Sequence, residues 1–392
     1  MSITKMDIQN YIKEGRYDIT DCTVEDFFIK DNKEVDNAYW ENSIFTIIGD
    51  VVSTTFKAAG SVVDYIGTGK GENLKSVKIE VDKIASDVYM KEMKNWKQEV
   101  KVATSEGKDE FGNDQPGVAT DKIELKKNES INIAIDAIDG TTLTALGLPG
   151  AESICAVGKG FRAFPDLQAY SILADAKVMD KLDFTSLPEV ALEKNLQLIA
   201  DGLGKRVDQL VMVTHGYESK KHHQTMIDRM RALGVTVVIP EPVTIEVPYT
   251  IGACLETYEI DGIIGVFGLP EVAINSILTR MINPDKAYGF RIVGNEILKR
   301  PEQNTLDGIF DLSSEEEKVV NGLGLDKNLI YNYDNIVSGS ECIFACAAVT
   351  DDPMLGLNGM KKERDSLIVE GLIALPFGNV FKVRIAFKNK TM

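Results

Sequence analysis

Residues 136–142 read Asp136-Ala137-Ile138-Asp139-Gly140-Thr141-Thr142. They follow INIAI, a short β-branched run that predicts a buried strand over 131–136. Two carboxylates three apart at a strand's carboxyl end can face one cavity when the chain turns sharply, and Gly140 permits such a turn. Thr141 and Thr142 add hydroxyls and, where a helix begins, exposed backbone N–H groups. Hard oxygen ligands grouped in this way suit Mg²⁺ or Mn²⁺. Backbone N–H groups at a helix start suit a phosphate. The same residues also make an ordinary turn with an aspartate N-cap. The segment alone leaves both readings open.

Three further acidic positions bear on the choice. Glu106 lies in Ser105-Glu106-Gly107-Lys108-Asp109-Glu110, after the strand-like run EVKVAT; alone, such a charge run is a solvated loop. Asp82 sits on an apolar-periodic helix among Val77, Val81 and Ile84. Glu271 follows Gly268-Leu269-Pro270 and opens a helix, where the macrodipole favours an acid in any case. Each has a plain structural explanation. Their joint occurrence, in this order, favours a metal centre.

These segments resemble the class II fructose-1,6-bisphosphatases, which include dual fructose/sedoheptulose bisphosphatases, within the metal-dependent, lithium-sensitive sugar and inositol phosphatases. The likeness runs from about residue 41 to 390. It is carried by Lys78-x-x-x-Asp82, Glu106-Gly107, INIAIDAIDGTTLTALGLPGAESICAVGKG, Pro165-Asp166, KKHHQTMIDRMRALGV, GLPE at 268–271 and SGSECIFACAAVTDDPML. The resemblance implies metal ligands at Asp82, Glu106, Asp136, Asp139 and Glu271, for two or three Mg²⁺ or Mn²⁺ ions. It implies an active-site lysine at Lys78 and a water-orienting threonine at Thr141, with Asp109 or Glu110 assisting that water. Substrate contacts would fall on Asp139, Gly140, Thr141, Thr142, Tyr170, Lys220, Lys221, His222, Thr244, Glu246 and Gly268. The implied reaction removes the 1-phosphate of fructose 1,6-bisphosphate, sedoheptulose 1,7-bisphosphate or both. An inositol monophosphatase-like or nucleotide 3′-phosphatase activity on the same scaffold is the alternative, and a non-catalytic sugar-phosphate-binding protein a second. A soluble cytoplasmic homo-oligomer, dimer or tetramer, completes the implied picture.

The chain departs from the family pattern in places. Asp139 stands where the family usually has Glu, and Ala137 where it has Pro. Gln168 replaces a substrate-contacting tyrosine, with Tyr170 nearby. His222 replaces an arginine that grips the second phosphate, and a guanidinium is not matched by an imidazole; Lys220, Lys221 and His223 are the candidates to compensate. Thr244 fills one place of an acidic pair, leaving Glu246. The metal side therefore looks intact and the sugar side altered.

Composition sets the outer bounds. The 392 residues are 44% hydrophobic and 26% charged, enough for two lobes with sizeable cores. A net charge of −17 argues against a nucleic-acid binder, yet bound cations can invert the sign locally for an anionic substrate. There is no apolar run of membrane-spanning length, and the start of the chain lacks a signal or transit pattern. Five cysteines, mostly inside apolar runs, fit buried thiols in a reducing compartment. Cys342 and Cys346 would share one side of a helix, if that segment is helical. GTGKG at 67–71 lacks the spacing of a phosphate-binding loop and reads as a flexible connection.

Helices are predicted over 41–66, 76–96, 221–234, 250–258 and 270–282, and strands at 152–158, 170–175, 207–215, 235–240 and 261–268. Residues 98–130 read as a hairpin or loop and 300–340 as polar and irregular. The end reads as a hairpin turning at Gly378-Asn379. The expected fold is α/β, a layered αβαβα sandwich of the sugar-phosphatase type. Its two lobes are residues 1–205 with a returning segment 331–392, and residues 206–330, with the metal site between them.

Overall fold

The computed structural model describes residues 3–29, 44–105, 131–185, 188–216, 221–240, 242, 246–255, 258–295, 308–339 and 341–388. In chain order, α1 (Lys5–Lys13) and β1 (Ile19–Ile29) precede α2 (Ile48–Ser61) and α3 (Leu74–Met93). Next come β2 (Val100–Ser105), β3 (Ile131–Asp139), α4 (Thr141–Leu146), β4 (Glu152–Lys159), β5 (Gln168–Asp175), α5 (Ala176–Met179) and α6 (Pro188–Leu203). Then β6 (Val211–Val213), α7 (Lys221–Ala232), β7 (Thr236–Val238), α8 (Glu246–Cys254), β8 (Gly262–Gly268), α9 (Leu269–Ile282) and β9 (Lys286–Val293) alternate. The chain closes with α10 (Ser314–Gly322), α11 (Tyr333–Ile336), β10 (Cys342–Ala348), β11 (Lys361–Lys362), β12 (Ser366–Leu375) and β13 (Asn379–Lys388).

Helices with two mixed sheets make this an α/β protein of two units, Met1–Arg162 with Val337–Met392, and Ala163–Ile336. In the first, the strand order is β1-β13-β12-β10-β4-β3-β2, with β11 paired to β12. Among the described strands of this sheet, only β2 and β3 run parallel. β3 and β10 are buried along their whole length, and their near-continuous apolar runs reflect a sheet covered on both faces. Helices α2 and α3 cover one of them. Thr55 on α2 lies 3.2 Å from the Cys155 sulfur of β4, and Tyr89 on α3 3.1 Å from the Ser153 hydroxyl. Phe56, fully buried, packs over Gly371 of β12.

The second unit has the order β7-β6-β8-β5-β9, with β6 parallel to both β7 and β8. Tyr170, Ile172 and Ala174 of β5 join Leu192, Leu196 and Ile199 of α6 and Met226 and Met230 of α7 in one core. Leu173 is the register partner of Tyr288, whose hydroxyl lies 3.1 Å from that of Thr250 on α8. Alternation along β5 therefore puts α6 and α7 on one face and α8 on the other.

Several expectations are revised. The helix expected over 41–66 is α2, Ile48–Ser61, preceded by a 3₁₀ turn at Ile44–Ile47. The α8 helix begins at Glu246, four residues before the expected start, because Pro248 falls within the first turn, where its missing N–H costs nothing. The tract 300–340 is not wholly irregular: Ser313 caps α10 through a reciprocal bond with Glu316, a Ser-x-x-Glu signature present in the sequence. Leu375 pairs with Asn379, so the last hairpin turns through Pro376, Phe377 and Gly378 rather than Gly378-Asn379. Cys342 and Cys346 share a strand, not a helix, and all five cysteines are buried thiols outside any disulfide. The 67–71 loop is tied to α4, with Gly67 N–H donating to Thr144 O (3.0 Å) and Gly69 N–H to Ala145 O (2.7 Å). The expected lobe boundary at 205/206 falls inside the second unit, because β5 and α6 already belong to that unit's sheet and core.

Because Phe56 joins α2 to the sheet that carries β3, Phe56→Ala should cost about 3–5 kcal/mol. Urea unfolding followed by circular dichroism reads this as a lowered midpoint with an unchanged slope.

Candidate active site

A regular strand alternates its side chains, so residues three apart point to opposite faces. Asp136 and Asp139 escape this rule through a bulge. Asp136 pairs with Ile154 and Asp139 with Glu152, so Ala137 and Ile138 stand opposite the single Ser153. Ile154 and Glu152 share a face of β4, and Asp136 and Asp139 therefore share it too. The expectation that the turn at Gly140 would align them is thus refined: the extra residue inside the strand does so. Gly140 has a different task. At φ 86° it caps α4 in the left-handed region and carries no side chain to close the first turn's N–H groups.

Both carboxylates are nearly inaccessible, Asp136 at 1% and Asp139 at 7% exposure. Thr141 and Thr142 begin α4 and are half-buried. Lys78 and Asp82, one turn apart on α3, are also half-buried, and α3 packs on α4 and β3. In the second unit, Gly268 ends β8 and Glu271 opens α9 with its carboxylate 8% exposed. A methyl group on Gly268 would lie 2.1–2.4 Å from that carboxylate, so Glu271 is folded back over a position only glycine leaves vacant.

Glu152 and Asp352 were not anticipated from the sequence. Glu152 is wholly buried beside Asp139 in register, and Asp352 is 2% exposed. Burial, the Asp352 carboxylate and Asp139 together push the Glu152 carboxyl far above its ordinary range. The available signal was an acid inside the apolar run AESICAVG. Among the described residues, no group of three or more His, Cys, Asp or Glu side chains gathers around one ion position. The expected ligand Glu106 lies outside those residues, and Glu271 belongs to the other unit. The expected donors are nonetheless hard oxygen throughout, and Asp136, Asp139 and Glu271 are withdrawn from water. Such charges need cationic compensation, so these residues fit divalent cations.

The expected sugar-phosphate contacts divide. Asp109, Glu110, Lys220 and Thr244 lie outside the described residues, as do the side chains of Lys221 and His222 at the start of α7. Glu246 opens α8 at 7% exposure, and Gly268 lies at the carboxyl end of β8. In parallel sheets such carboxyl ends are where ligands bind. Tyr170 does not face solvent: it is fully buried in the core, edge-on to Phe184 and Phe310. Its place in the alternation of β5 puts it under α6. His223 is no compensating phosphate ligand either. It is fully buried, stacked 4.8 Å from His215, with ring nitrogens 3.2 Å from the carbonyl oxygens of Gly216 and Val266.

Gly268→Ala should displace the Glu271 carboxylate and weaken Mn²⁺ binding at least about tenfold, read by calorimetry, with the melting temperature little changed. A second prediction concerns Glu152. Its raised folded-state pKa means the folded chain holds a proton that the unfolded chain releases above about pH 4.3, so wild-type stability falls as pH rises past that point. Glu152→Gln cannot ionise. Its melting temperature, measured without metal, should exceed that of wild type by more at pH 8 than at pH 5.

The model of the bacterial fructose-1,6-bisphosphatase family, glpX-encoded, matches residues 46–379. The class 2 fructose-1,6-bisphosphatase of Haemophilus influenzae is 27% identical over 238 residues, covering 60% of this chain and 67% of that protein. Fructose-1,6-bisphosphatase 1 class 2 of Escherichia coli K12 is 25% identical over 256 residues, 64% and 71% of the two chains. The D-fructose 1,6-bisphosphatase class 2/sedoheptulose 1,7-bisphosphatase of Synechococcus elongatus is 24% identical over 308 residues, 75% and 82%. The matched stretch takes in α2, the bulged acidic strand, the Gly268–Glu271 corner and β10. On that extent the chain belongs to the glpX-encoded bacterial fructose-1,6-bisphosphatase family, whose members are divalent-metal-dependent phosphoric monoester hydrolases.

Proposed function

We propose that this chain removes the 1-phosphate of fructose 1,6-bisphosphate, sedoheptulose 1,7-bisphosphate or both, releasing inorganic phosphate. The observation that carries the reading is the bulge that turns the buried Asp136 and Asp139 to one face, directly before the start of α4, where the Gly140 cap offers no side chain. In this reading Asp82, Glu106, Asp136, Asp139 and Glu271 hold two or three Mg²⁺ or Mn²⁺ ions. When bound, the cations neutralise phosphate charge and lower the pKa of the attacking water. The Thr141 hydroxyl orients that water, and Asp109 or Glu110 accepts its proton. Lys78, one turn from Asp82, adds positive charge to the phosphate side. The first-turn N–H groups of α4 donate to non-bridging oxygens.

The second unit would supply the sugar grip through Lys220, Lys221, His222, Thr244, Glu246 and Gly268. Exact substrate preference rests on this group, where the chain departs most from its family. The names of the relatives support a sugar bisphosphate, two of those compared being fructose-1,6-bisphosphatases and one a dual-function enzyme. A homo-oligomer in the cytoplasm is part of the same proposal. No described helix is long and apolar enough to cross a membrane.

The test is phosphate release from fructose 1,6-bisphosphate, sedoheptulose 1,7-bisphosphate, inositol 1-phosphate and adenosine 3′,5′-bisphosphate, with Mg²⁺ and then Mn²⁺. Preference for a sugar bisphosphate is expected. Asp136→Asn should lower kcat at least about a hundredfold, since loss of an outer contact alone costs 10–100-fold. A variant with near-wild-type turnover would remove Asp136 from the ligand set.

A further inference from the structure

Three element ends meet around two histidine rings in the second unit. His223, in the first turn of α7, has no solvent exposure. Its Nδ1 lies 3.2 Å from the carbonyl oxygen of Gly216, just past the end of β6, and its Nε2 3.2 Å from that of Val266, near the end of β8. Carbonyl oxygens only accept, so the ring is the donor, through one N–H when neutral and through both when protonated. His215, half-buried beyond β6, stacks on it with the ring planes 14° apart and sets its own Nδ1 2.9 Å from the same Gly216 oxygen. The His215 ring also lies 5.8 Å from that of Phe267 on β8.

Packing alone does not call for an imidazole here. Leucine would fill such a space without the cost of burying a polar ring. What the imidazole adds is direction, since a hydrogen bond fixes distance and angle where apolar contact fixes only volume. The Gly216 contact fastens the chain leaving β6 to the helix that it feeds. The Val266 contact fastens that helix start to β8, which runs parallel to β6. Both contacts act at the carboxyl ends of parallel strands, where ligands bind. The candidate sugar-phosphate contacts cluster around them in sequence: Lys221 and His222 directly precede His223 in α7, and Gly268 follows Val266 by two positions. A misplacement of about 1 Å between such contacts can cost on the order of a hundredfold.

We propose that His223 is a positioning residue for the distal phosphate of the substrate, holding the start of α7 against the end of β8 without touching the ligand. This rests on the sugar-bisphosphate reading above. The experiment uses the full chain with Mg²⁺. It measures kcat and KM for fructose 1,6-bisphosphate, and calorimetric affinity for fructose 6-phosphate, which keeps the distal phosphate alone. In His223→Leu, KM should rise and fructose 6-phosphate affinity fall at least about tenfold while kcat stays within about twofold, the signature of lost uniform binding. His223→Gln retains an amide N–H for Val266 and should recover most of the affinity. A residue that only filled the core would show neither the split between KM and kcat nor the rescue. His215→Phe keeps the stacked ring but loses the N–H toward Gly216. It is the second variant, should His223→Leu fail to fold, and should raise KM at least about threefold. Wild-type KM and affinity in a folded His223→Leu, or a loss confined to kcat, would overturn the proposal. So would a wild-type KM in His215→Phe where His223→Leu does not fold. Wild type that releases phosphate from neither sugar bisphosphate would instead overturn the underlying reading, and this inference with it.

Discussion

One inserted residue in β3 is the constraint on which the first unit's chemistry depends. Without it, alternation would send Asp139 to the side of Ser153 and Cys155, beneath Thr55 and Tyr89. With it, Asp136, Asp139 and Glu152 line one face, and the chain reaches Gly140 in the conformation that starts α4. Bulges re-aim side chains at the cost of local ladder hydrogen bonds. Here the neighbouring rows of β4 and β10 stay in register over seven pairs, which holds the irregular strand against a regular one.

The same face gathers more negative charge than an apolar sheet tolerates alone. Two of these acids are candidate ligands. Glu152 and Asp352 lie behind them, and their mutual proximity and burial drive the Glu152 carboxyl toward its neutral form. A carboxyl held neutral by burial adds no charge to the region. The opposite face shows the contrasting solution. There Cys155, Thr55, Tyr89 and Ser153 use neutral polar groups, and burial pushes the Cys155 thiol up to about 11.

Much of this was legible in the residues. The β-branched INIAI run, the amphipathic helices and the strand–helix alternation of the second unit all carry periodic signals that local packing honours. The Asp-x-x-Asp-Gly spacing located the acidic centre, but not the reason its two aspartates agree in direction, because a bulge depends on the partner strand's register. Glu152 was passed over because it sits in a run that reads as core. Tyr170 was misread for a related reason: which face of β5 meets α6 is settled by helices that come later in the chain. The unit boundary was placed late because β5 pairs antiparallel and so lacks the βαβ rhythm that announces the rest of its sheet.

The discontinuity of the first unit bears on how the protein is made. β4 and β10 are adjacent in space, yet the whole second unit is encoded between them, and β1 waits for β13 at the far end of the chain. On the ribosome the second unit is complete once residue 336 has emerged, whereas the first sheet cannot close until its last strand is synthesised. Through that interval β4, buried almost throughout in the finished sheet, has no β10 beside it. Exposed strands of this kind are aggregation-prone. Chaperone demand during synthesis should therefore fall on the early N-terminal segment rather than on the inserted unit.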